Sequence, residues 1–341
     1  MKKSLMTLGV LALFVLMAYG QEKKFALYSV AFYNMENLFD TIHDEGKNDY
    51  EYLPNGTNQW NTMKYKAKLK NMSEILSMLS TDKLPMGPAI IGVSEIENYR
   101  VLEDILKQPA LADRGYQYVH YEGADQRGVD CAFFYNPKLF ELTNSKLVPY
   151  VYINDTVHKT RGFLIASGNI AGEKMHFIVN HWPSRAAASP ARERAGEQVR
   201  AIKDSLLRED SAAKIVIMGD MNDDPMDKSM AVALGAKRKP ADVGPTDLYN
   251  PWWDTLKKGY GTLMYKGKWN LFDQIVFTGN LLGTDRSTLK FYKHEIFRRD
   301  FMFQKEGKYK GYPKGTQAGG VWLNGYSDHL PTIIYLIKEV K

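Results

Sequence analysis

Cysteine is almost absent from this sequence, which limits how the fold can be stabilised. Cys131 is the only cysteine among 341 residues, so no intrachain disulfide can form and a disulfide-stapled scaffold is excluded. The fold must therefore depend on a hydrophobic core. Cys131 lies inside an apolar run, where a free cysteine usually behaves as a small buried hydrophobe. We expect it to be buried rather than nucleophilic.

Long apolar runs are absent after the first twenty residues. The N-terminus combines Lys2 and Lys3 with an apolar stretch over residues 5–17 and small residues just before Gln21, which is the layout of a secretory signal peptide. The stretch is shorter than the roughly 20 residues of a membrane-spanning helix, and this favours cleavage over a permanent anchor. We therefore predict a signal peptide over residues 1–20 and an exported protein, periplasmic or extracellular, without stable membrane insertion after cleavage.

The remaining sequence lacks internal repeats, low-complexity linkers and a strong charge of either sign. We therefore predict one domain over residues 21–341, which is large but acceptable for two packed sheets. The formal net charge of +6 falls to +4 without Lys2 and Lys3. Such mild basicity suits a polyanionic substrate but does not demand one. The basic stretch at residues 305–314 is either a phosphate-facing rim or a solvated loop, and charge runs usually face water.

Short apolar runs alternate with helical patterns along the chain. Apolar spacing predicts helices over residues 63–79 and around residues 101–106, and Ser189-Pro190 opens a third helix that runs to about Arg208. Apolar runs predict strands over residues 25–33, 89–93, 129–135, 175–179, 214–218, 275–278 and 332–337. This alternation without a clear break indicates one α/β domain.

Polar side chains border six of these strands. Four groups follow apolar runs and two precede them: Asn34, Glu95, Asn180-His181 and Asp220 with Asn222, then Asp273 and Ser327-Asp328-His329. A carboxylate at the end of a buried strand lies at the edge of the core, where isolated burial is expensive. Its repetition at several strand ends indicates convergence on one polar site. For all six groups to meet, the last two strands must run antiparallel to some of the others, which favours mixed sheets over a doubly wound parallel sheet.

The donor types in this set limit the chemistry. Carboxylates and amides predominate, His181 and His329 are the only imidazoles, and no thiolate is included. Hard oxygen ligands suit Mg²⁺, Mn²⁺ or Ca²⁺ better than zinc. A hard cation among carboxylates can hold a phosphate, while two histidines can supply the acid and base for in-line displacement. The sequence therefore predicts a divalent-metal phosphoester site, with Mg²⁺ as the first choice.

Seven motifs between Asn34 and His329 resemble, in order, those of the endonuclease/exonuclease/phosphatase superfamily, which includes pancreatic-type deoxyribonucleases and bacterial sphingomyelinases. They are FYNMENLFD, IIGVSEIEN, RGVDCAFFYNP, VNHWPSR, MGDMNDDP, WNLFDQIVF and YSDHLP. Each is weak alone, but the ordered set is specific, and its closest resemblance is to the exported bacterial branch. Ser94 stands where the family usually has glutamine. The resemblance implies a DNase I-like fold, a four-layer α-β-β-α sandwich with two mixed, mainly antiparallel sheets.

The resemblance also implies a metal-ligand set. Glu95 would be the principal ligand, helped by Asn34 and Asp328. Glu97 lies two positions on and could share a strand face with Glu95, but the apolar strand ends directly on Glu95 while Glu97 falls in an expected loop. Two further acids are less well placed: Glu36 and Asp44.

The catalytic roles follow from the same resemblance. His329 would be a general base or stabilise the transition state, and Asp273 would orient it as an acid orients histidine in a triad. Asp220 would orient or deprotonate the attacking water. Asn222 would donate to a phosphate oxygen, and His181 would protonate the leaving oxygen or bind the phosphate.

Two arginines are candidates for phosphate binding, Arg127 and Arg185, because a guanidinium fork matches two phosphate oxygens. Either could equally pair with a surface acid. Trp252 and Trp253 could stack on bases if exposed, although burial of at least one is the stronger expectation.

These patterns favour an exported, monomeric, metal-dependent phosphodiesterase, and specifically a nuclease acting on DNA and/or RNA. The alternative is a phosphoesterase acting on a phospholipid head group or a small phosphate ester, in the manner of a sphingomyelinase or an inositol phosphatase. The exposed hydrophobic hairpin of bacterial sphingomyelinases has no clear equivalent here. A non-catalytic binding module is disfavoured, because none of the acid, base and metal residues is missing.

Overall fold

The computed structural model describes residues 23–153 and 157–340. The predicted signal peptide, residues 1–20, lies outside these ranges. Within them, no helix has both the length and the apolar character that crossing a membrane requires.

The described ranges contain four α-helices and seventeen strands. The helices are α1 Thr62–Met78, α2 Tyr99–Leu106, α3 Ser189–Glu209 and α4 Trp253–Lys257. The strands are β1 Lys24–Leu38, β2 Ile90–Ile96, β3 Gln117–His120, β4 Asp130–Tyr135, β5 Glu141–Val148, β6 Phe163–Ile170, β7 Glu173–His181, β8 Lys214–Asp220, β9 Ala236–Lys237, β10 Leu248–Tyr249, β11 Leu263–Tyr265, β12 Lys268–Asn270, β13 Asp273–Thr278, β14 Lys290–Ile296, β15 Gln317–Ala318, β16 Val321–Trp322 and β17 Thr332–Val340.

Local sequence signals explain where the long helices begin. Asn61 caps α1 by accepting a hydrogen bond from the backbone N–H of Lys64, and Asn98 caps α2 in the same way. Helix α3 has proline in its first turn, where the missing N–H removes no helical hydrogen bond. The three helices predicted from the sequence lie within a few residues of the observed bounds.

Strand β1 extends beyond the apolar run that predicted it. Its pairing with β2 is broken between Asn34 and Leu38, and Glu36 and Asn37 have φ values of 48° and 52°. Left-handed backbone is uncommon in a strand. This irregular stretch therefore turns polar side chains toward the sheet edge instead of continuing the regular alternation.

The strands form two large mixed sheets. The six-stranded sheet has the order β14-β17-β1-β2-β4-β3, and the seven-stranded sheet has the order β5-β6-β7-β8-β13-β10-β9. Only the pairs β1–β2, β7–β8 and β9–β10 are parallel among the described strands of these sheets. The expectation of mixed, mainly antiparallel sheets is confirmed.

Three hydrophobic clusters hold four layers together. Alternate residues of β1 point to opposite faces: Phe32 packs between the sheets, while Ala31 packs against α1 and α2. On the other sheet, Val216 of β8 faces the space between the sheets and Ile217 faces α3. The result is the α-β-β-α sandwich expected from the resemblance.

The core also settles two expectations about single residues. Cys131 is buried, as predicted. Trp252 is fully buried, and its Nε1 donates to the Ile275 carbonyl at 2.9 Å. Trp252 is therefore a core residue and cannot stack on a base.

Candidate active site

The register of the seven-stranded sheet places three predicted site residues side by side. Asp220 at the end of β8 lies opposite His181 at the end of β7 in a parallel pair. It also lies opposite Asp273 at the start of β13 in an antiparallel pair. A strand end and a strand start meet at one edge, as the sequence argument required.

Asn34 connects this edge to the six-stranded sheet. Its Nδ2 donates to Asp220 Oδ2 at 3.0 Å and lies 3.2 Å from Glu95 Oε1. Glu95 has a φ of 59°, and the β2–β4 pairing shifts between Ser94 and Ile96. The left-handed turn brings the carboxylate to the centre, where Oε2 accepts a hydrogen bond from the Asn37 backbone N–H at 2.8 Å.

The alternative acids have other partners. Glu97 is buried and accepts a hydrogen bond from the Asp40 backbone N–H, while Asp44 pairs with Arg100. Glu36 accepts from the Thr316 backbone N–H at 2.6 Å and lies 3.5 Å from Lys68 Nζ. Among the candidate acids on this side, Glu95 is therefore the one that reaches Asn34 and Asp220.

His329 is held by hydrogen bonds on two sides. Its Nδ1 lies 2.7 Å from Asp273 Oδ2, and its backbone N–H donates to Ser327 Oγ, which in turn donates to the Asn34 carbonyl. Nε2 is left facing Asp220 Oδ2 at 3.8 Å. Burial opposes the charged ring, but Asp273 and Asp220 outweigh it and raise the pKa of His329 well above its usual value.

His181 lies on the other side of Asp220. Its Nε2 is 3.7 Å from both Glu95 Oε1 and Asp220 Oδ2. Burial, with the positive charges of Arg161 and Arg127, lowers the pKa of His181 well below its usual value. The two histidines thus flank Asp220 in different charge environments.

The donor set fits a divalent cation. One ligand atom each from Glu95, His181 and Asp220 lies within 4.8 Å of the others. Asp328 is accessible from the adjoining cleft, and the protein packed around it raises its pKa, with Glu95 adding to the rise and His329 opposing it. Several carboxylates crowded together are stabilised by a hard cation, and oxygen ligands of this kind suit Mg²⁺ or Mn²⁺.

Asn222 and Arg185 lie at the rim beside Asp220. Asn222 has a φ of 51°; its backbone N–H donates to Asp220 Oδ1, and its Nδ2 donates to the Trp182 carbonyl. Arg185 donates to the Asn222 carbonyl at 3.1 Å and lies within 3.4 Å of carboxylate oxygens of three acids: Asp223, Asp224 and Asp227. The Arg185 guanidinium is therefore already paired with protein carboxylates, and its hydrogen bond to the Asn222 carbonyl stabilises the turn at Asn222.

Two arginines, Arg127 and Arg161, place positive charge near His181. Arg127 is exposed, with Nε 3.7 Å from Asp125 Oδ1, and its charge reaches His181. Arg161 is buried, and it bridges Asp125 Oδ2 at 3.0 Å and the Trp182 carbonyl at 2.8 Å. Arg161 was not among the residues predicted from the sequence, although it lies just before an apolar strand, as Asp273 does.

A β-hairpin lies against the site and was also missed. Strands β11 and β12 pair with each other, and Leu263 makes a bridge to His329. Thr262, just before the hairpin, accepts a hydrogen bond from the Asp273 backbone N–H. The hairpin and the 304–318 segment enclose a cavity of about 410 Å³ that reaches Asp328.

Solved structures show the same fold at low sequence identity. An endonuclease/exonuclease/phosphatase family protein from Bacteroides thetaiotaomicron is 15% identical, with 93% of this chain and 97% of that chain covered and a TM-score of 0.57. A mannosyl-6-phosphatase from the same organism is 14% identical over 91% and 99%, with a TM-score of 0.56. TDP2 from D. rerio, in complex with a single-strand DNA product, is 14% identical over 91% and 99%, with a TM-score of 0.52.

Sequence comparison identifies the family. No curated protein matches the chain in sequence. The profile of the Endonuclease/Exonuclease/phosphatase family, in contrast, matches residues 29–338, which span both sheets and all the site residues described above. The protein therefore belongs to the endonuclease/exonuclease/phosphatase family and is a metal-dependent phosphoester hydrolase.

Proposed function

We propose that this protein is an exported nuclease that hydrolyses phosphodiester bonds of DNA and/or RNA. The observation that carries the proposal is the cavity beside Asp328. It is lined by tyrosines and lysines from the β11–β12 hairpin and the 304–318 segment: Tyr265, Lys266, Lys308, Tyr309 and Tyr312. Single-stranded nucleic acid binds to surfaces where aromatic rings stack on bases and basic groups follow the backbone.

The side chains in this cavity are arranged for such contacts. Tyr265 is 62% exposed, and Lys266 Nζ lies 5.2 Å from its ring centroid. Lys308 Nζ lies 5.3 Å from the ring of Tyr309, which is 40% exposed. The basic stretch at residues 305–314 is mostly an exposed loop, and Lys308, Tyr309 and Tyr312 from it also line the cavity.

The reacting phosphate would lie between His181 and His329. Both Nε2 atoms approach Asp220 Oδ2, at 3.7 and 3.8 Å. Asp220 would orient the attacking water and accept its proton. His329, charged and fixed by Asp273, would donate to a phosphoryl oxygen. His181, whose lowered pKa keeps the ring neutral, would donate a hydrogen bond from its ring N–H to another phosphate oxygen.

A divalent cation would be held by Glu95, with Asn34 and Asp328 beside it. When bound, it neutralises phosphoryl charge and helps to position the ester. The protein residues orient the site: Asn37 N–H fixes Glu95 Oε2, and Asn34 joins Glu95 to Asp220. Mg²⁺ is the expected ion, with Mn²⁺ or Ca²⁺ as substitutes.

A small phosphate ester is the second candidate substrate. The cavity volume of about 410 Å³ is at the lower end of ligand pockets and would accept one sugar phosphate, and a mannosyl-6-phosphatase has the same fold. A phospholipid head group is less favoured, because the hairpin tip carries Tyr265 and Lys266 rather than an apolar membrane-binding surface.

A substrate panel tests the proposal. The purified protein is assayed on single-stranded DNA, plasmid DNA, RNA, bis-p-nitrophenyl phosphate, mannose 6-phosphate and sphingomyelin, with Mg²⁺, Mn²⁺ or Ca²⁺ and a chelator control. Faster turnover of a polynucleotide than of the small esters is expected. Efficient hydrolysis of mannose 6-phosphate with no cleavage of DNA or RNA would reject the nuclease assignment.

Export is a separate part of the proposal and depends on residues 1–20 alone. Fractionation of cells that express the full chain should place a shortened protein outside the cytoplasm. Retention of the intact N-terminus in the cytoplasm would contradict it.

A further inference from the structure

A second group of potential ligands lies at the base of the β3–β4 loop. His120 ends β3, Asp130 begins β4, and Glu122 lies in the loop between them. The antiparallel pairing places His120 opposite Ala132, so the loop returns to the same place on the sheet. One ligand atom from each of the three side chains lies within 4.8 Å of the others.

The His120 ring carries the argument for a ligand. Its side chain is only 4% exposed, and Nε2 makes no hydrogen bond with any described residue. Nε2 nevertheless lies 3.4 Å from Asp130 Oδ2. A buried ring nitrogen without a hydrogen-bond partner is unfavourable, and a ligand shared by this nitrogen and Asp130 would remove that cost.

The spacing between the two atoms matches a shared metal ion. Two ligands that lie about 2.0–2.1 Å from a tetrahedral ion are roughly 3.3 Å apart. Asp130 is also fixed in place, because Oδ2 accepts the Gly123 backbone N–H at 3.0 Å. A Cβ at Gly123 would lie 2.1 Å from Asp130 Oδ1, so glycine is required for this close approach.

The two carboxylates of this group have no direct cationic partner from any described lysine or arginine side chain. Neither Glu122 nor Asp130 forms a salt bridge with a lysine or arginine in the described part of the chain. Lys47 Nζ lies nearby but donates to backbone carbonyls, those of Gly123 and Asp125. Glu122 lines an open cavity of about 460 Å³, which gives an ion a route to the site.

We propose that His120, Glu122 and Asp130 bind a divalent transition-metal ion of the zinc type, at a site distinct from the catalytic centre. One imidazole and two carboxylates suit Zn²⁺, with water as a fourth ligand. The carboxylate oxygens and the ring nitrogen of His120 are all atoms that can donate an electron pair to a metal ion, as metal binding requires.

The site would fix the loop that presents Arg127 to the catalytic centre. Asp125 in this loop accepts a hydrogen bond from the Arg127 backbone N–H at 3.0 Å and from Arg161 at 3.0 Å. Arg161 in turn donates to Trp182, next to His181. Binding of the ion would therefore stabilise the loop and the position of Arg127 without a direct part in the reaction.

Metal stoichiometry provides the test. The metal-stripped protein is titrated with Zn²⁺ by calorimetry, and with Co²⁺, whose visible absorption reports a tetrahedral site. We expect His120→Ala to lose one equivalent of Zn²⁺ and the tetrahedral Co²⁺ spectrum. The control His176→Ala removes another buried imidazole, which is paired with Ser167 Oγ, and should keep both signals.

Glu122→Gln keeps the test informative if His120→Ala does not fold, because Glu122 is exposed. It should weaken Zn²⁺ binding at this site at least about tenfold, the range in which loss of a metal-supporting group usually falls. Glu95→Gln, which alters the catalytic centre, should leave the tetrahedral Co²⁺ spectrum unchanged. Unchanged Zn²⁺ stoichiometry and Co²⁺ spectrum in both His120→Ala and Glu122→Gln would overturn the proposal and leave a plain His120–Asp130 pair.

Discussion

Asp273 Oδ2 lies 2.7 Å from Nδ1 of His329. Both side chains are buried, with 0% of Asp273 and 7% of His329 exposed to solvent. The contact fixes which ring nitrogen faces the reaction, because only Nε2 is left to face Asp220. The contact also explains how Asp273, at the start of β13, and His329, just before β17, can act together. The two residues are 56 positions apart in sequence.

Asp273→Asn should lower kcat by about 10²–10⁴-fold, since loss of an orienting carboxylate disturbs both the tautomer and the charge of its histidine. His329→Ala should remove most turnover. The double variant should be no slower than His329→Ala alone, because residues that act as a unit are not additive. Steady-state kinetics with circular dichroism measure this; Asp285→Asn, at an exposed acid, is the control. Near wild-type kcat in folded Asp273→Asn would contradict the pairing.

Glu95→Gln should raise the Mg²⁺ concentration for half-maximal activity at least about tenfold, because the carboxylate that reaches Asn34 and Asp220 is removed. Glu97→Gln is the matched control: the same substitution two residues away, on a side chain that contacts Asp40 instead. It should leave the Mg²⁺ dependence unchanged. Activity is measured as a function of Mg²⁺ concentration for both variants. An equal rise in the half-maximal Mg²⁺ concentration would contradict the assignment of Glu95, rather than Glu97, as the metal ligand.

Tyr309→Ala should raise KM for a single-stranded oligonucleotide while leaving hydrolysis of bis-p-nitrophenyl phosphate nearly unchanged. Loss of one stacking contact costs about 1–3 kcal/mol, so KM should rise about 5- to 150-fold. Tyr292→Ala is the control, since Tyr292 is 53% exposed on β14 and is not among the residues that line the cavity. Equal loss of activity on both substrates would indicate a structural role for Tyr309 rather than substrate binding.

The position of the site could be predicted because residues at the ends of strands lie at the edges of a sheet. Each apolar strand that ends on a polar residue must deliver that residue to a sheet edge, and register then decides which residues meet. Asp220, His181 and Asp273 meet for this reason. Glu95 could be preferred over Glu97 by its place at the end of the apolar run, and their different contacts follow from the left-handed backbone at Glu95.

Features that depend on long-range packing could not be predicted in this way. Arg161 reaches Asp125 and Trp182 only after β6 and β7 have paired, and Trp252 gives no sequence signal that separates a core residue from a stacking platform. The hairpin β11–β12 is too short for its alternation to identify it. Its place over the site depends on the contact between Leu263 and His329.

His294 should make stability depend on pH in the acid range. Burial, with the charge of Lys258, lowers the pKa of His294 to about 4, and its Nε2 lies 2.9 Å from Thr255 Oγ1. Between the unfolded pKa of about 6.5 and the folded pKa, the unfolded chain binds the proton and the native protein does not. The free energy of unfolding should therefore fall as pH decreases through this window. Above the window both states contain neutral histidine, so His294 adds no pH dependence there.

The His294→Gln variant isolates this contribution. The difference in unfolding free energy between wild type and variant should be constant above about pH 7 and should shift against the wild type at lower pH, by on the order of 3 kcal/mol near pH 4. Urea unfolding at several pH values measures it. A difference that does not vary with pH would show that His294 does not titrate in this range.

Lys68 should be needed to hold Glu36 in place beside the site, because burial raises the pKa of Glu36 to about 7 and the charge of Lys68 opposes that rise. Lys68 is fully buried on α1; it hydrogen-bonds to Thr316 Oγ1 and the Tyr326 carbonyl and lies 3.5 Å from Glu36 Oε2. The Glu36 backbone N–H donates to Asn34 Oδ1. Lys68→Met should destabilise the protein by about 3–5 kcal/mol, because it leaves a buried carboxylate without its partner. Lys70→Met, at an exposed lysine of the same helix, should change stability by less than about 1 kcal/mol.

The double variant Lys68→Met/Glu36→Gln separates charge from packing. If the loss in Lys68→Met comes from the unpaired carboxylate, removing that charge should restore part of the stability, since replacing both members of a buried pair is far milder than removing one. Activity should recover in parallel, because Glu36 holds the backbone that supports Asn34. A double variant as unstable as the sum of the two single variants would show that Lys68 acts through its bonds to Thr316 and Tyr326 instead.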